Sequence, residues 1–147
     1  MSEKLSALLV YHTSETLSAL KDHLQQQGVR VIHSESCAQA QRQLGSLNPA
    51  PLVFTETQLP DGTWADILAL AEHATFPVNV IVVSEVMDTR LYVEAIESGA
   101  FDFLAPPFNS TDLAYVVRCA SGNALARRAA RGRGVLAAKV GCLAEVR

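Results

Sequence analysis

The sequence has few cysteines and no long apolar run. Cys37, Cys119 and Cys142 are widely spaced and form no CxxC pair, which argues against a disulfide framework or a zinc site and favours reduced thiols. No apolar stretch approaches the roughly 20 residues of a membrane-spanning helix. The opening residues MSEKLSALLVYH lack a signal-peptide cleavage pattern. We therefore expect a cytoplasmic protein that makes no membrane contact.

Several motifs of common enzymes are also absent. No GxGxxG or GxxxxGK loop follows a strand-like segment, and there is no Gly-x-Ser-x-Gly turn. These absences disfavour nucleotide-binding proteins and the common hydrolases. A chain of 147 residues with 49% apolar and 18% charged side chains is typical of one globular domain.

Charge is distributed unevenly along the chain. Residues 1–117 carry 14 acidic and 5 basic side chains, whereas residues 118–147 carry 1 and 7, so net charges of −9 and +6 give the total of −3. We predict a domain over residues 1–122 and a basic, partly helical extension or linker over residues 123–147. Gly132 and Gly134 are expected to interrupt the helix there.

Strand-like and helix-like patterns alternate through the domain. Residues 78–83 are the clearest strand, because they are almost wholly β-branched, as in a central parallel strand covered on both faces. Other strands are predicted at 6–11, 29–32, 52–55 and 101–105, and helices at 14–27, 36–47, 64–71 and 88–98 and from Asn109, with a capping box at Asn109 and Asp112. The pattern indicates an α/β fold, a doubly wound parallel sheet of five strands with helices on both faces.

The site of such a sheet lies at the carboxyl ends of its strands, here residues 11–13, 56–62, 84–85 and 105–107. The stretches there are ALLVYHTSE, LVFTETQLPDG, VIVVSE and AIESGAFDFLAPPF. In order and spacing they resemble the receiver domain of bacterial response regulators, the CheY-like class, over roughly residues 6–120. The resemblance implies a flavodoxin-like fold with strand order 2-1-3-4-5 and a role in two-component signalling and phosphorelay.

The resemblance also assigns site positions. The acidic pair that binds Mg²⁺ in the family falls at Tyr11 and His12, and the phosphoacceptor position falls at Glu56. Ser84 keeps the hydroxyl that follows strand four. The switch aromatic and the lysine fall at Phe103 and Pro106, and the cis peptide of the family is expected at the bond between Pro106 and Pro107. Of the five chemical positions (the acidic pair, the acceptor, the hydroxyl and the lysine), only Ser84 keeps the expected group.

These replacements disfavour phosphoryl transfer to Glu56. Phosphoryl transfer depends on positioning and charge neutralisation, and Mg²⁺ prefers carboxylate oxygens, which Tyr11 and His12 lack. Glu56 is either a tolerated polar residue at a strand end or an imitation of the phosphorylated state to which Ser84 donates a hydrogen bond. His12 is a candidate metal ligand or proton-sensitive group, or an ordinary polar residue. The ring of Tyr11 is expected to fill the space of the ion, and Asp61-Gly62 is interpreted as a turn.

The sequence therefore predicts a degenerate receiver, or pseudo-receiver, that is not an enzyme, has lost the Mg²⁺ site and needs no cofactor. Its partner is expected to be a protein of a signalling pathway, such as a kinase or an output domain, bound at helix four, strand five and helix five. A homodimer is a further possibility. Two alternatives remain. One is a phosphoreceiver with unusual ligands, and the other is a small nucleic-acid-binding regulator that uses the basic extension, which the absence of aromatic residues and of a helix-turn-helix pattern disfavours.

Overall fold

The structure is a computed structural model that describes the backbone of residues 5–141 and the side chains of residues 5–132. Cys142 lies outside the described residues. The elements in chain order are β1 Ser6–Val10, α1 Glu15–Gln26, β2 Arg30–Ser34, α2 Cys37–Leu44, β3 Leu52–Glu56, α3 Trp64–Glu72, β4 Asn79–Val83, α4 Thr89–Glu97, β5 Asp102–Leu104 and α5 Ser110–Gly141. Gln58–Leu59 and Gly62–Thr63 form a short antiparallel hairpin between β3 and α3.

The five strands form one parallel sheet in the order β2-β1-β3-β4-β5. This arrangement confirms the predicted doubly wound, flavodoxin-like topology. Strand β4 occupies an inner position, and all five of its residues are buried. Its uniform β-branched composition is therefore explained by cover on both faces.

Alternation along the strands divides the core into two layers. On β1, Leu8 and Val10 contact the layer that α2, α3 and α4 cover. Leu9 and Tyr11 contact the opposite layer, which α1 and α5 cover. Because successive side chains of a strand point to opposite faces, the position of a residue at the strand end decides which layer it enters.

Local capping explains where most helices begin and end. The Ser14 hydroxyl accepts a hydrogen bond from the Leu17 N–H at the start of α1, and Gly28 adopts a positive φ of 83° just after its end, as helix termini favour. Helix α2 ends at Leu44, three residues before its predicted end, because Gly45 forms its C-cap.

The predicted capping box at the start of α5 differs from the observed geometry. The Asn109 side chain accepts hydrogen bonds from the N–H groups of Thr111 and Asp112, which is an N-cap interaction. The reciprocal capping box is found at α3 instead, where Asp66 accepts from the Thr63 N–H and the Thr63 hydroxyl accepts from the Ala65 N–H.

The prediction that Gly132 and Gly134 interrupt the helix is wrong, because α5 continues through both residues to Gly141. Glycine in a helix interior costs only about 1 kcal/mol relative to alanine, and the surrounding alanines and arginines are strong helix formers. The helix also passes without a break across residues 122 and 123, and Ala124 beyond them is fully buried. Among the described residues, no helix is both long and apolar enough to cross a membrane.

Candidate functional site at the carboxyl edge of the sheet

The site is built around Glu56, the last residue of β3. Strand β3 lies beside β1, so the end of β3 and the loop after β1 meet at one edge of the sheet. The backbone N–H of His12 donates a hydrogen bond to Oε1 of Glu56 at 2.7 Å. The structure therefore brings together two of the predicted site positions, through the backbone of one and the carboxylate of the other.

Burial raises the pKa of Glu56 above its ordinary value of 4.5. The hydrogen bond from His12 and the charge of its side chain act in the opposite direction, and the neighbouring charge of Glu85 raises the pKa further. Removal from water disfavours the ionised form of a carboxyl group. The dominant influence on Glu56 is therefore partial burial, which the single backbone hydrogen bond does not offset.

The imidazole of His12 points to a different carboxylate. Its Nδ1 lies 3.5 Å from Oε1 of Glu35, just after β2, and about half of each side chain is exposed. This contact is an ion pair only when the histidine is protonated, and surface pairs of this kind contribute little to stability. The contacts of His12 are thus divided between Glu56, through the backbone, and Glu35, through the ring.

Tyr11 is buried in the layer covered by α1 and α5. Its ring stacks on that of His33 with centroids 4.2 Å apart, and Nε2 of His33 is hydrogen-bonded to the Tyr11 carbonyl at 2.9 Å. Strand β2, which carries His33, lies on the side of β1 opposite β3. The ring therefore packs on β2 in the layer that α1 and α5 cover, and its filling of an ion's space beside Glu56 stays a prediction.

This donor set does not fit the Mg²⁺ ion that the receiver resemblance implies. Mg²⁺ takes oxygen ligands in near-octahedral geometry, with one or two carboxylates. Here one oxygen of Glu56 already accepts the His12 N–H, while Tyr11 is turned into the core. Within the described part of the chain, no group of three or more His, Cys, Asp or Glu side chains is arranged to hold a metal ion.

The two positions on β4 and β5 face inward. Ser84 is 9% exposed, and its hydroxyl accepts a long hydrogen bond of 3.4 Å from the Val86 N–H. Its described hydrogen bonds are to Val86 and, through its own N–H, to the Leu104 carbonyl, so the predicted bond to Glu56 is not among them. Phe103 is 4% exposed and meets Tyr92 of α4 edge to face, with centroids 5.9 Å apart.

The loop after β5 carries no cation. Pro106 and Pro107 are exposed, and the peptide bond between them is cis. A proline ring has neither a charge nor a donor group, so the position of the family's lysine offers nothing that would neutralise an anion.

Asp61 has a role that the sequence did not reveal. Its carboxylate accepts hydrogen bonds from the N–H groups of Cys37 at 2.7 Å and Ala38 at 3.1 Å, and so caps the N-terminus of α2 from another loop. These bonds lower the pKa of Asp61. Burial and the charge of Asp61 raise the pKa of the Cys37 thiol to about 11, so this cysteine stays a protonated thiol. Because Asp61 and Cys37 are 24 positions apart, local spacing gave no signal of the contact.

Comparison with known proteins is consistent with this geometry. No family model matches the chain. The response regulator protein PilR of Pseudomonas aeruginosa is 35% identical over 68 residues, which are 45% of this chain and 15% of PilR. The signal receiver domain of a putative Luxo repressor protein from Vibrio parahaemolyticus is 26% identical with a TM-score of 0.68, covering 84% of this chain and 98% of that one. A putative response regulator from Chloroflexus aurantiacus has a TM-score of 0.73 at 20% identity, covering 82% and 99%.

The chain has the fold of the CheY-like receiver domains of response regulators, and the order of its motifs is similar to theirs. The chain resembles those domains in sequence as well as in fold. The match to PilR covers only a small part of that protein's length.

Proposed function

We propose that this receiver-type domain is degenerate and acts in bacterial two-component signalling through protein–protein interaction, without conventional phosphorylation. The observation that carries the proposal is the hydrogen bond from the His12 backbone to Glu56. This bond joins Glu56, at the phosphoacceptor position, to the loop after β1. The described residues around it do not form a suitable Mg²⁺ site.

The chemistry of phosphoryl transfer supports this proposal. The transferred group needs a metal ion that neutralises its oxygens, and cationic side chains stabilise the charge that develops. Tyr11 replaces a carboxylate with a buried ring, and Pro106 replaces a cation with an uncharged ring. Without the first the site does not hold the positive metal ion, and without the second it has no cationic side chain at position 106; Ser84, whose hydroxyl is paired with the Val86 N–H, compensates for neither. We accordingly propose that the domain is not an enzyme and binds no cofactor.

The partner surface that we propose is the face formed by α4, β5 and α5. Large apolar side chains are exposed there: Tyr92 (41%), Val93 (44%), Ile96 (37%), Phe101 (36%) and Tyr115 (60%). Clusters of exposed aromatic and aliphatic residues are typical of protein-binding surfaces. A kinase, an output domain or a second copy of the chain would use this apolar surface.

The test is incubation with acetyl phosphate and Mg²⁺ followed by intact mass measurement. We expect no mass gain in the wild-type protein or in Glu56→Gln. A Glu85→Gln variant, which removes a neighbouring carboxylate instead, is the matched control. A gain of one phosphoryl group that Glu56→Gln abolishes and Glu85→Gln retains would establish the alternative, a phosphoreceiver with unusual ligands.

A further inference from the structure

Three arginines of α5 bind backbone carbonyls of the domain itself. Arg127, Arg128 and Arg131 lie on the part of α5 that continues beyond residue 122. Their donors reach the carbonyl oxygens of Val78 (3.1 Å, from Arg127), Pro77 and Pro49 (2.7 and 2.9 Å, from Arg128) and Thr75 (3.0 Å, from Arg131). The acceptors belong to the segments that lead into β3 and β4, so all of these bonds lie at the N-terminal edge of the sheet, opposite the site around Glu56.

Phe76 adds a second kind of contact. The guanidinium carbons of Arg128 and Arg131 lie 5.9 and 5.8 Å from the centre of its ring. Cations at this distance are attracted to the ring electrons. The ring thus receives two neighbouring arginines, and the aliphatic stems of their side chains need not extend into water.

Asn79, the first residue of β4, joins the arginines to the core. Its side chain is 9% exposed. The amide group donates to the Ala120 carbonyl at 2.8 Å and to Oδ1 of Asn123 at 3.0 Å. The amide oxygen accepts from Arg127 at 2.7 Å, and Nε of Arg127 also reaches Asn123. A buried polar side chain with its donors and acceptor paired in this way fixes one geometry.

The acceptors of the arginines are neutral. Among the described residues, no carboxylate lies within 4.0 Å of any of the three guanidinium groups, since the described ion pair involves His12. Buried carbonyl oxygens require donors, and the planar fork of arginine supplies several in a fixed geometry, which lysine cannot do. The guanidinium groups of this segment therefore bind neutral backbone carbonyls of the domain, and their geometry suits those acceptors.

We propose that Arg127, Arg128 and Arg131 form a latch that fixes the C-terminal extension of α5 to the N-terminal edge of the sheet. The latch gives the extension a fixed direction relative to the sheet. It also engages three of the seven basic residues of the segment 118–147 in contacts within the chain. The inference is independent of whether Glu56 is phosphorylated.

Hydrogen exchange of the whole chain tests the latch. In the triple variant Arg127→Lys, Arg128→Lys and Arg131→Lys, charge is kept and helix propensity is nearly unchanged, but the fork is lost. We expect amides of residues 122–132 to lose protection by at least about tenfold, equivalent to about 1.4 kcal/mol. The amides of Thr75 and Asn79 should lose protection together with them, because the arginines bind those segments. The matched control Arg30→Lys, Arg42→Lys and Arg90→Lys makes the same change at three exposed arginines and should change neither region.

Two hydrogen-exchange results would overturn the latch. One is unchanged protection in the lysine variant, which would mean that charge alone suffices. The other is a loss confined to α5, which would be ordinary fraying of a helix end. Should the triple variant unfold, Arg131→Lys alone removes the outermost bond and must still lower protection at Thr75. Salt-dependent retention on duplex DNA that the lysine variant keeps and an alanine triple variant loses would assign the arginines to nucleic acid instead.

Discussion

The backbone N–H of His12 lies 2.7 Å from Oε1 of Glu56, so the loop after β1 and the end of β3 are joined directly. The acceptor position thereby has a partner that depends on no metal ion and no phosphoryl group. A longer side chain than aspartate is suited to this contact, since its extra methylene extends the carboxylate toward the neighbouring strand. Glu56 therefore acts as a connection between two strand ends, whatever else binds nearby.

The pH dependence of stability should report the burial of Glu56. Because its pKa is raised above 4.5 in the folded protein, the folded state holds the proton more tightly than the unfolded state. The stability of wild type relative to Glu56→Gln should therefore be greatest below pH 4.5, fall as the pH rises through the raised pKa, and then level off. Urea unfolding midpoints from pH 4 to 8 measure this difference.

Glu56→Ala is the companion variant in that series. It removes the acceptor of the His12 N–H, whereas glutamine keeps an oxygen there, so we expect Glu56→Ala to be less stable than Glu56→Gln by about 1 kcal/mol at every pH. A wild-type advantage over Glu56→Gln that grows with pH would instead show that the ionised carboxylate has a stabilising cationic partner, contrary to the burial of the group.

Addition of Mg²⁺ should leave the intrinsic fluorescence unchanged. Trp64 begins α3, and its backbone N–H donates to the Thr57 carbonyl at 3.2 Å, so this residue is joined directly to the loop that follows Glu56. An ion bound at Glu56 would change that loop. A saturable change at millimolar Mg²⁺, lost in Glu56→Gln, would contradict the poor fit of the donor set.

Gly62→Ala should destabilise the domain by about 1–3 kcal/mol, as overpacking of a tight site does. A Cβ at this position would lie 2.5 Å from Oδ2 of Asp66 and 2.9 Å from Sγ of Cys37. Asp66 is held by its bond to the Thr63 N–H, so it cannot move without breaking the capping box of α3. Thermal or urea unfolding measures the loss.

Gly122→Ala is the matched control for that substitution. Nothing lies within 4 Å of a Cβ built at Gly122, which is an interior residue of α5, so alanine should stabilise the protein by up to about 1 kcal/mol. Equal destabilisation by the two substitutions would show that the close approach at Gly62 is not responsible.

Asp61→Asn should weaken the N-terminus of α2. The lowered pKa of Asp61 means that its stabilising effect is present above its ordinary value of 3.8 and is lost as the pH falls through the lowered value. The variant should therefore have a lower urea midpoint than wild type at pH 7, and the difference should shrink toward pH 3. Asp22→Asn, on the exposed side of α1, should lower the midpoint much less at pH 7; an equal drop would exclude the capping role.

Patterns within single elements predicted the fold well. The β-branched run of β4 and the cap at Ser14 were sufficient for the alternation of strands and helices, because each depends on neighbouring residues and regular periodicity; the strand order was what the resemblance to receiver domains implied. The contacts of the site were less accessible. The cap of α2 by Asp61 and the bonds from Arg127 and Arg128 join residues 24 to 79 positions apart, which no local spacing encodes.

The ring of Tyr11 shows a second limit of sequence reasoning. The resemblance assigned position 11 to the site, but the stacking of its ring on His33, 22 positions along the chain, had no signal in local spacing. The continuous helix α5 shows a third limit. The low helix propensity of Gly132 and Gly134 was considered without the strong helix formers around them. In both cases the local identity of the residue was read correctly and its surroundings were not.

The stacking of Tyr11 on His33 also has an evolutionary consequence. Substitution by aspartate would restore one member of an acidic pair, yet it would remove a ring that is 7% exposed and leave an unfilled space against His33. Loss of a buried aromatic side chain costs about 3–5 kcal/mol, a large share of the stability of a small domain. An aspartate at position 11 would thus require compensating changes in the core around His33, which a single substitution does not supply.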